Sequence, residues 1–443
     1  MINNKIHEPL FHLTKRTSVN AKRAWALRCG AFIVSILLCA IITLIIVELN
    51  NQRLVSEGKA VDPYSIGQYF DDFFTGAFGT PKVVWGLFHE TAILLLVALA
   101  VTPCFKMKFW NIGGEGQILM GGLGAAVAIQ FMSGKASNAS TIIVSIILAI
   151  AFGVVWAVIP ALFKAKWNTN ETLLTLMMNY IAICLVDFFI SSVAVRNQTG
   201  KLNFLNWPGT VPPIGPADFA GRTYILKIVI VAVITTIIAI YMKYSKHGYE
   251  ISVVGESPNT AKYVGINTKA VIIRTLVLCG VMCGICGFLL VSATSQTLNT
   301  ESTVGGRGFV GVLISWLAQF NPIFMVLVSF LVVFIQKGSA GVALWQDGFN
   351  ATSYSSVMTG IFFFLIIAVE FFVNYKLIFR SDIQAKIDNF NGKIKFAFTK
   401  KKNAEGSAIL QDTNGEEQVE EAQPQIVEIE SPASDETEAK EEE

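Results

Sequence analysis

The sequence predicts an all-α membrane protein of about ten transmembrane helices, and three observations predict it. Of its 443 residues 53% are hydrophobic and only 15% charged, with a mean hydropathy of +0.54, whereas soluble domains carry roughly 25% charged residues. Apolar stretches of the length a bilayer demands, about 20 residues, recur along the chain. The charges are clustered: residues 403–443 hold 14 of the 32 acidic residues and a single basic one, Lys440. Residues 1–402 therefore carry 33 basic against 18 acidic groups. A basic membrane body precedes an acidic tail.

The candidate spans are 29–47, 88–105, 112–131, 141–163, 172–194, 223–242, 272–294, 306–320, 322–338 and 356–375. Thr141 to Phe163 contains no charge and is the clearest of them. The third, eighth and ninth are short or glycine-rich, and the alternative for the pair around 306–338 is a re-entrant hairpin. The first, Cys29 to Val47, is too long for a signal-peptide core and no A-x-A site follows it, so it is expected to stay as a span. Alternation from a cytoplasmic N-terminus puts 23 basic residues on internal segments and 10 on external ones. By the positive-inside rule both termini are then cytoplasmic.

Four regions follow: a basic cytoplasmic N-terminus (1–28), the spanning body (29–375), a basic cytoplasmic segment (376–402) and the tail (403–443). The tail is rich in Glu and poor in large apolar residues, so it is expected to be disordered. A Pro-rich external loop (195–222) reads as a cap, and 243–271 is the longest internal loop.

The seven cysteines all lie in apolar stretches, so no structural disulfide is expected. Cys279, Cys283 and Cys286 share one helix face, but Gly280, Gly284 and Gly287 interleave them, which reads as close helix packing rather than a metal site. Gly134-Lys135 lacks the upstream glycine of a phosphate loop. Energy for any transport must then come from a partner or an ion.

Asn111-Ile-Gly-Gly-Glu-Gly-Gln117 opens the third span, and three glycines and three polar side chains there are costly in lipid. Asn111 can cap the helix and Glu115 suits its positive end; the competing reading has Asn111, Glu115 and Gln117 lining a translocation path. Asn179, inside the fifth span, carries the same two readings, interhelical packing or contact with a passing solute. Ile112-Gly-Gly-Glu-Gly116 recurs as Val304-Gly-Gly-Arg-Gly308, and Ala126 falls on Ala318. Alternation starts one copy inside and the other outside, an inverted-topology pseudo-repeat of the kind transporters use. Arg307 would then sit at the external mouth, as a docking contact for an external binding protein or as an interfacial anchor. In the internal loop, Ser257 and Pro258 read as N-cap and first residue of a short helix closed by Gly265.

The stretches N-I-G-G-E-G-Q (111–117), N-E-T-L-L-T-L-M-M-N-Y-I-A (170–182) and G-E-S-P-N-T-A-K-Y-V-G-I (255–266) together resemble permeases of bacterial ABC importers for nucleosides and simple sugars. The likeness covers about residues 85–375. It implies a ten-helix permease domain in a bacterial cytoplasmic membrane, working with a second permease subunit, cytoplasmic ATPases and an external substrate-binding lipoprotein or periplasmic protein. It also implies that the 255–266 loop docks on the ATPase, with Pro258, Asn259, Ala261 and Gly265 in the contact and Glu256 and Lys262 beside them. No cofactor is expected on this chain; ATP-Mg belongs to the partner. Lipid is the only other partner expected, with no nucleic acid polymer. Within the family the 170–180 stretch is nearer the nucleoside type. The alternative is an ion-coupled secondary transporter, which needs intramembrane carboxylates; only Asp187 and Glu370 lie well inside the expected spans, both near their ends.

Overall fold

The computed structural model describes residues 11–16, 21–57, 64–133, 135–193, 201–204, 207–344 and 350–379. The acidic tail, and the basic segment beyond residue 379, lie outside the described residues. The chain divides into two units. In the smaller, β1 (Phe11–Lys15) pairs antiparallel with β4 (Tyr375–Phe379), Leu13 opposite Leu377.

The larger unit holds helices α1 (Ala21–Ser56), α2 (Ile66–Phe78), α3 (Pro81–Lys106), α4 (Gly114–Met132), α5 (Asn138–Trp167) and α6 (Glu171–Val193). After β2 (Leu202–Asn203) come α7 (Ile225–Tyr244), α8 (Lys246–Glu256), α9 (Pro258–Tyr263) and α10 (Thr268–Phe288). A π-helical turn (Leu289–Thr294) extends α10, and β3 (Thr297–Leu298), α11 (Arg307–Leu317), α12 (Pro322–Leu344) and α13 (Ala351–Asn374) complete it. Among the described residues eight helices are long and apolar enough to cross a membrane: α1, α3, α5, α6, α7, α10, α12 and α13. The all-α membrane class is thus right, and every candidate span contains a helix. The third and eighth spans are the exceptions to length and hydropathy, as α4 is glycine-rich and α11 has 11 residues. At 1.5 Å per residue α11 is about 16 Å long, half a bilayer core.

Two features were not legible. The sequence gives α2 no span-like signal, yet it folds as an amphipathic helix with a capping box, Ser65 and Gln68 each bonding the other's backbone. Its Phe73 packs edge-on against Phe334 of α12. Second, a two-residue pairing sets Leu202 opposite Leu298, and Phe204 N–H donates to Gln296 O at 2.8 Å. Those bonds tie residues 202–204 to residues 296–298.

Helix α10 is the centre of the unit, packed on α3, α4 and α5. Small residues make that possible, as expected: a Cβ on Gly284 would fall 2.6 Å from Ala149 O, and Cys279, Cys283 and Cys286 are wholly buried. The packing is reciprocal between halves, α10 against α4 and α3 against α11. Such an exchange is what a pseudo-twofold repeat produces.

Candidate functional site

The two glycine-rich starts meet. Glu115, in the first turn of α4, accepts from Gly306 N–H at 2.8 Å with Oε1 and from Gly308 N–H at 2.7 Å with Oε2. Those amides belong to the start of α11, whose N-cap Gly306 has no side-chain cap of its own. One carboxylate therefore sits between two helix N-termini, where both partial positive ends favour it. Gly308 is required by the approach: a Cβ there would lie 2.4 Å from the Glu115 backbone nitrogen.

This corrects the expectation that the two starts lie at opposite faces. Contacts along α3 place both inside the helical layer: Arg307 pairs with Glu90, a Cβ on Gly311 would meet Val97, and one on Gly114 would meet Val101. Charge counting assigns loops to sides, but it is blind to a chain that folds inward before its helix begins.

The first start is satisfied by polar side chains. Asn111, fully buried, accepts from Gly113 N–H at 3.1 Å and donates to Cys279 Sγ at 3.3 Å. Gln117 donates to Asn111 Oδ1, and its own Oε1 accepts from the Cys279 thiol at 3.2 Å. Asn179, on α6, accepts from Gly116 N–H at 2.8 Å and donates to Ile112 O at 3.0 Å, while Thr175 accepts from Ile112 N–H. Unpaired amides at a buried helix start are expensive, and these side chains take the place of water. All four path candidates, Asn111, Glu115, Gln117 and Asn179, thus converge on one site, and their polar atoms face the interrupted backbone. Cys279, Thr175 and Glu90 were missed. Cys279 looked like a packing residue because a thiol in an apolar helix carries no outward mark of the hydrogen bonds it makes.

Arg307 does not stand free at an external mouth. Its Nη2 donates to Glu90 Oε2 at 2.9 Å and Nη1 to Val304 O at 3.0 Å. Both side chains of the pair are about three-quarters buried, at 27% and 22% exposed, so the acid that compensates the guanidinium is internal. Removing a cation this far from water without its partner would be costly. Glu90 itself lies ten residues into α3, since that helix begins at Pro81 rather than at residue 88.

A second cluster is exposed at the far end of α10. Ser257 caps α9, accepting from Thr260 N–H at 3.2 Å, with Pro258 at the first position. The helix closes as a Schellman turn: Ile266 N–H reaches Ala261 O at 2.9 Å and Gly265 N–H reaches Lys262 O at 3.0 Å. Gly265 takes φ +81°, a left-handed value that the motif demands. Glu256, Pro258, Asn259, Lys262 and Gly265 are exposed. Ala261 is not: it is wholly buried and anchors α9 to the body, so it cannot itself touch a partner. The exposed apolar residues are instead Tyr263 (93%) and Val264 (64%).

A cavity of about 620 Å³ opens beside α9, with Lys108, Lys164, Lys262 and Lys269 in its wall. Arg274 of α10 donates to Glu250 of α8 at 2.6 Å. That hydrogen bond, before all else, holds the Glu250 carboxyl below its ordinary range.

Known proteins place this arrangement. The nucleoside ABC transporter permease protein NupB of Lactococcus lactis subsp. cremoris is 26% identical, over 70% of this chain and 85% of its own length. The guanosine ABC transporter permease protein NupP of Bacillus subtilis is 26% identical over 64% and 81%. The glucose ABC transporter permease protein TsgB13 of Haloferax volcanii is 27% identical over 72% and 83%. The family described as the permease component of the branched-chain amino acid transport system matches residues 83–367. This chain belongs to that family and is a membrane-spanning permease subunit of an ATP-binding-cassette importer.

Proposed function

We propose that the chain carries nucleosides inward, delivered by an external binding protein and driven by ATP hydrolysis on a separate cytoplasmic subunit. Both termini are then cytoplasmic, in the inner membrane of a bacterium. A second permease subunit, identical or homologous, completes the path. No cofactor is needed on this chain, because ATP-Mg is bound by the partner.

One observation carries the reading: α9 is a short, doubly capped, exposed helix joined to the core of the molecule. Tyr263 and Val264 offer a partner apolar surface, with Glu256, Pro258, Asn259 and Lys262 around them. From there the Glu250–Arg274 bond links α8 to α10, and Cys279 of α10 touches Asn111 and Gln117 at the start of α4. A pull on α9 would reach the site where the two starts meet through one rigid helix.

An ion-coupled carrier fits less well. Glu90 and Glu115 are indeed acids inside the layer, contrary to the expectation for the spans. Yet Glu90 is matched by Arg307 and Glu115 by two backbone amides, so neither is placed to pick up and release a proton.

The test uses the complete importer in proteoliposomes. Nucleoside uptake should require ATP hydrolysis and survive an uncoupler. Tyr263→Asp should release the ATPase from detergent-extracted complexes. Uptake that survives ATP depletion and collapses with an uncoupler would overturn the reading.

A further inference from the structure

The second repeat contains a cavity of about 420 Å³ that shares Glu90 and Arg307 with the site above and is otherwise lined by residues not yet accounted for. It lies between α3, α11, α12 and α13, beneath the loop that leads into α11. Residues of that loop (Glu301, Ser302) and of the start of α13 (Thr352, Ser356) form its upper wall, and Leu94, Val310 and Val333 form apolar lining. The volume is ordinary for a small-molecule site.

Its charges balance in an unusual way. Glu90 and Arg307 line it and neutralise each other at 2.9 Å. Glu301 and Lys337 also line it, and among the described residues neither has an ion-pair partner. An acceptor and a donor of opposite sign thus share one cavity, with Gln336 and the hydroxyls of Ser302, Thr352, Ser355 and Ser356 around them. A charged solute would be attracted by one of the two and repelled by the other. A neutral polyol would not: each hydroxyl can donate to a carboxylate and accept from an ammonium at once. No aromatic ring is present among the described lining residues, so nothing there stacks on a base.

We propose that this cavity receives the hydroxyl-rich pentose of the transported solute, with Glu301 accepting from its vicinal hydroxyls and Lys337 donating to them. The inference rests on the nucleoside reading above and deepens it. It assigns the sugar end to this subunit and leaves discrimination between bases elsewhere.

The experiment compares uptake of a ribonucleoside with that of its 2′,3′-dideoxy counterpart by the complete importer, with the binding protein saturated by each. The unaltered chain should prefer the ribonucleoside by at least about tenfold, as loss of hydrogen bonds to charged groups implies. Glu301→Gln and Lys337→Met should each lower ribonucleoside uptake about tenfold and leave dideoxynucleoside uptake in place, so the preference collapses. Thr352→Ala and Ser356→Ala provide the same comparison if a charge-removing variant does not reach the membrane. A preference that persists in every variant at equal membrane abundance overturns the cavity assignment. If the importer moves a sugar and no nucleoside, the substrate reading fails, and the cavity is judged by the same comparison with the matching deoxysugar. Uptake indifferent to hydroxyl removal in the unaltered chain overturns it outright.

Discussion

The two glycine-rich starts have nearly the same sequence and opposite local economies. Residues 112–116 fold with Gly113 at φ −77° and run straight into a 19-residue helix. Residues 304–308 fold with Gly305 and Gly306 at φ +61° and +78°, and their helix ends after 11 residues. Ala126 is mid-helix, whereas its counterpart Ala318 is already the C-cap, followed by Gln319 and Phe320 at positive φ. The first start is held by Asn111, Asn179, Thr175 and Cys279. The second has no polar side chain of its own to cap it and borrows Glu115 from the first. One half is self-sufficient; the other depends on it.

That dependence is breakable. Glu115→Ala strips the acceptor from two amides at the start of α11 and should cost about 3 kcal/mol, with uptake lost, because two partly buried donors are left unpaired. Thermal unfolding of the purified chain in detergent measures it. Gly308→Ala comes next, at about 3 kcal/mol, since the added methyl meets backbone 2.4 Å away and one helix must move. The equivalent change in the first start, Gly116→Ala, meets Asn179 Oδ1 at 2.8 Å and Asn179 Cα at 3.0 Å, a less severe approach than 2.4 Å to backbone, and should be milder. Equal melting shifts for the two alanines would mean the starts are not asymmetric. Asn179→Ala should cost about 2 kcal/mol, because α4 keeps its other side-chain partners. A larger loss there than for Glu115→Ala would reverse the order of dependence.

The smallest effect concerns the Glu250–Arg274 link between α8 and α10. The folded-state value of Glu250 lies below its ordinary 4.5. Its stabilisation is therefore present above that ordinary value and lost as pH falls through the lower folded one. The melting temperatures of the unaltered chain and Glu250→Gln should differ slightly at neutral pH and converge in acid. A difference that grows below pH 4.5 would place the bond's contribution elsewhere.

Much of this was legible in advance. Ser257, Pro258 and Gly265 announced α9 because caps and left-handed turns are local and depend on a few residue types. The long spans announced themselves because bilayer thickness sets a length that composition must meet. The half-length α11 and the amphipathic α2 were harder. One is read from sequence as a whole span, 306–320, although its helix has only 11 residues, and the other is stabilised by its aromatic contacts with α12 rather than by hydrophobic length.

What the sequence by itself determined is the all-α membrane class, the kinship of the two glycine-rich starts and the exposed handle of α9. Each follows from a property that neighbouring residues share: hydropathy, charge or cap chemistry. What only the tertiary structure decided is where the polar residues point. Glu115 could have served its own helix and serves the other; Arg307 could have faced outward and faces Glu90; Ala261 could have met a partner and is buried. The physical reason is that a charge or amide inside a membrane must find a complement, and that complement came from residues roughly 190 to 220 positions away for Glu115 and Arg307.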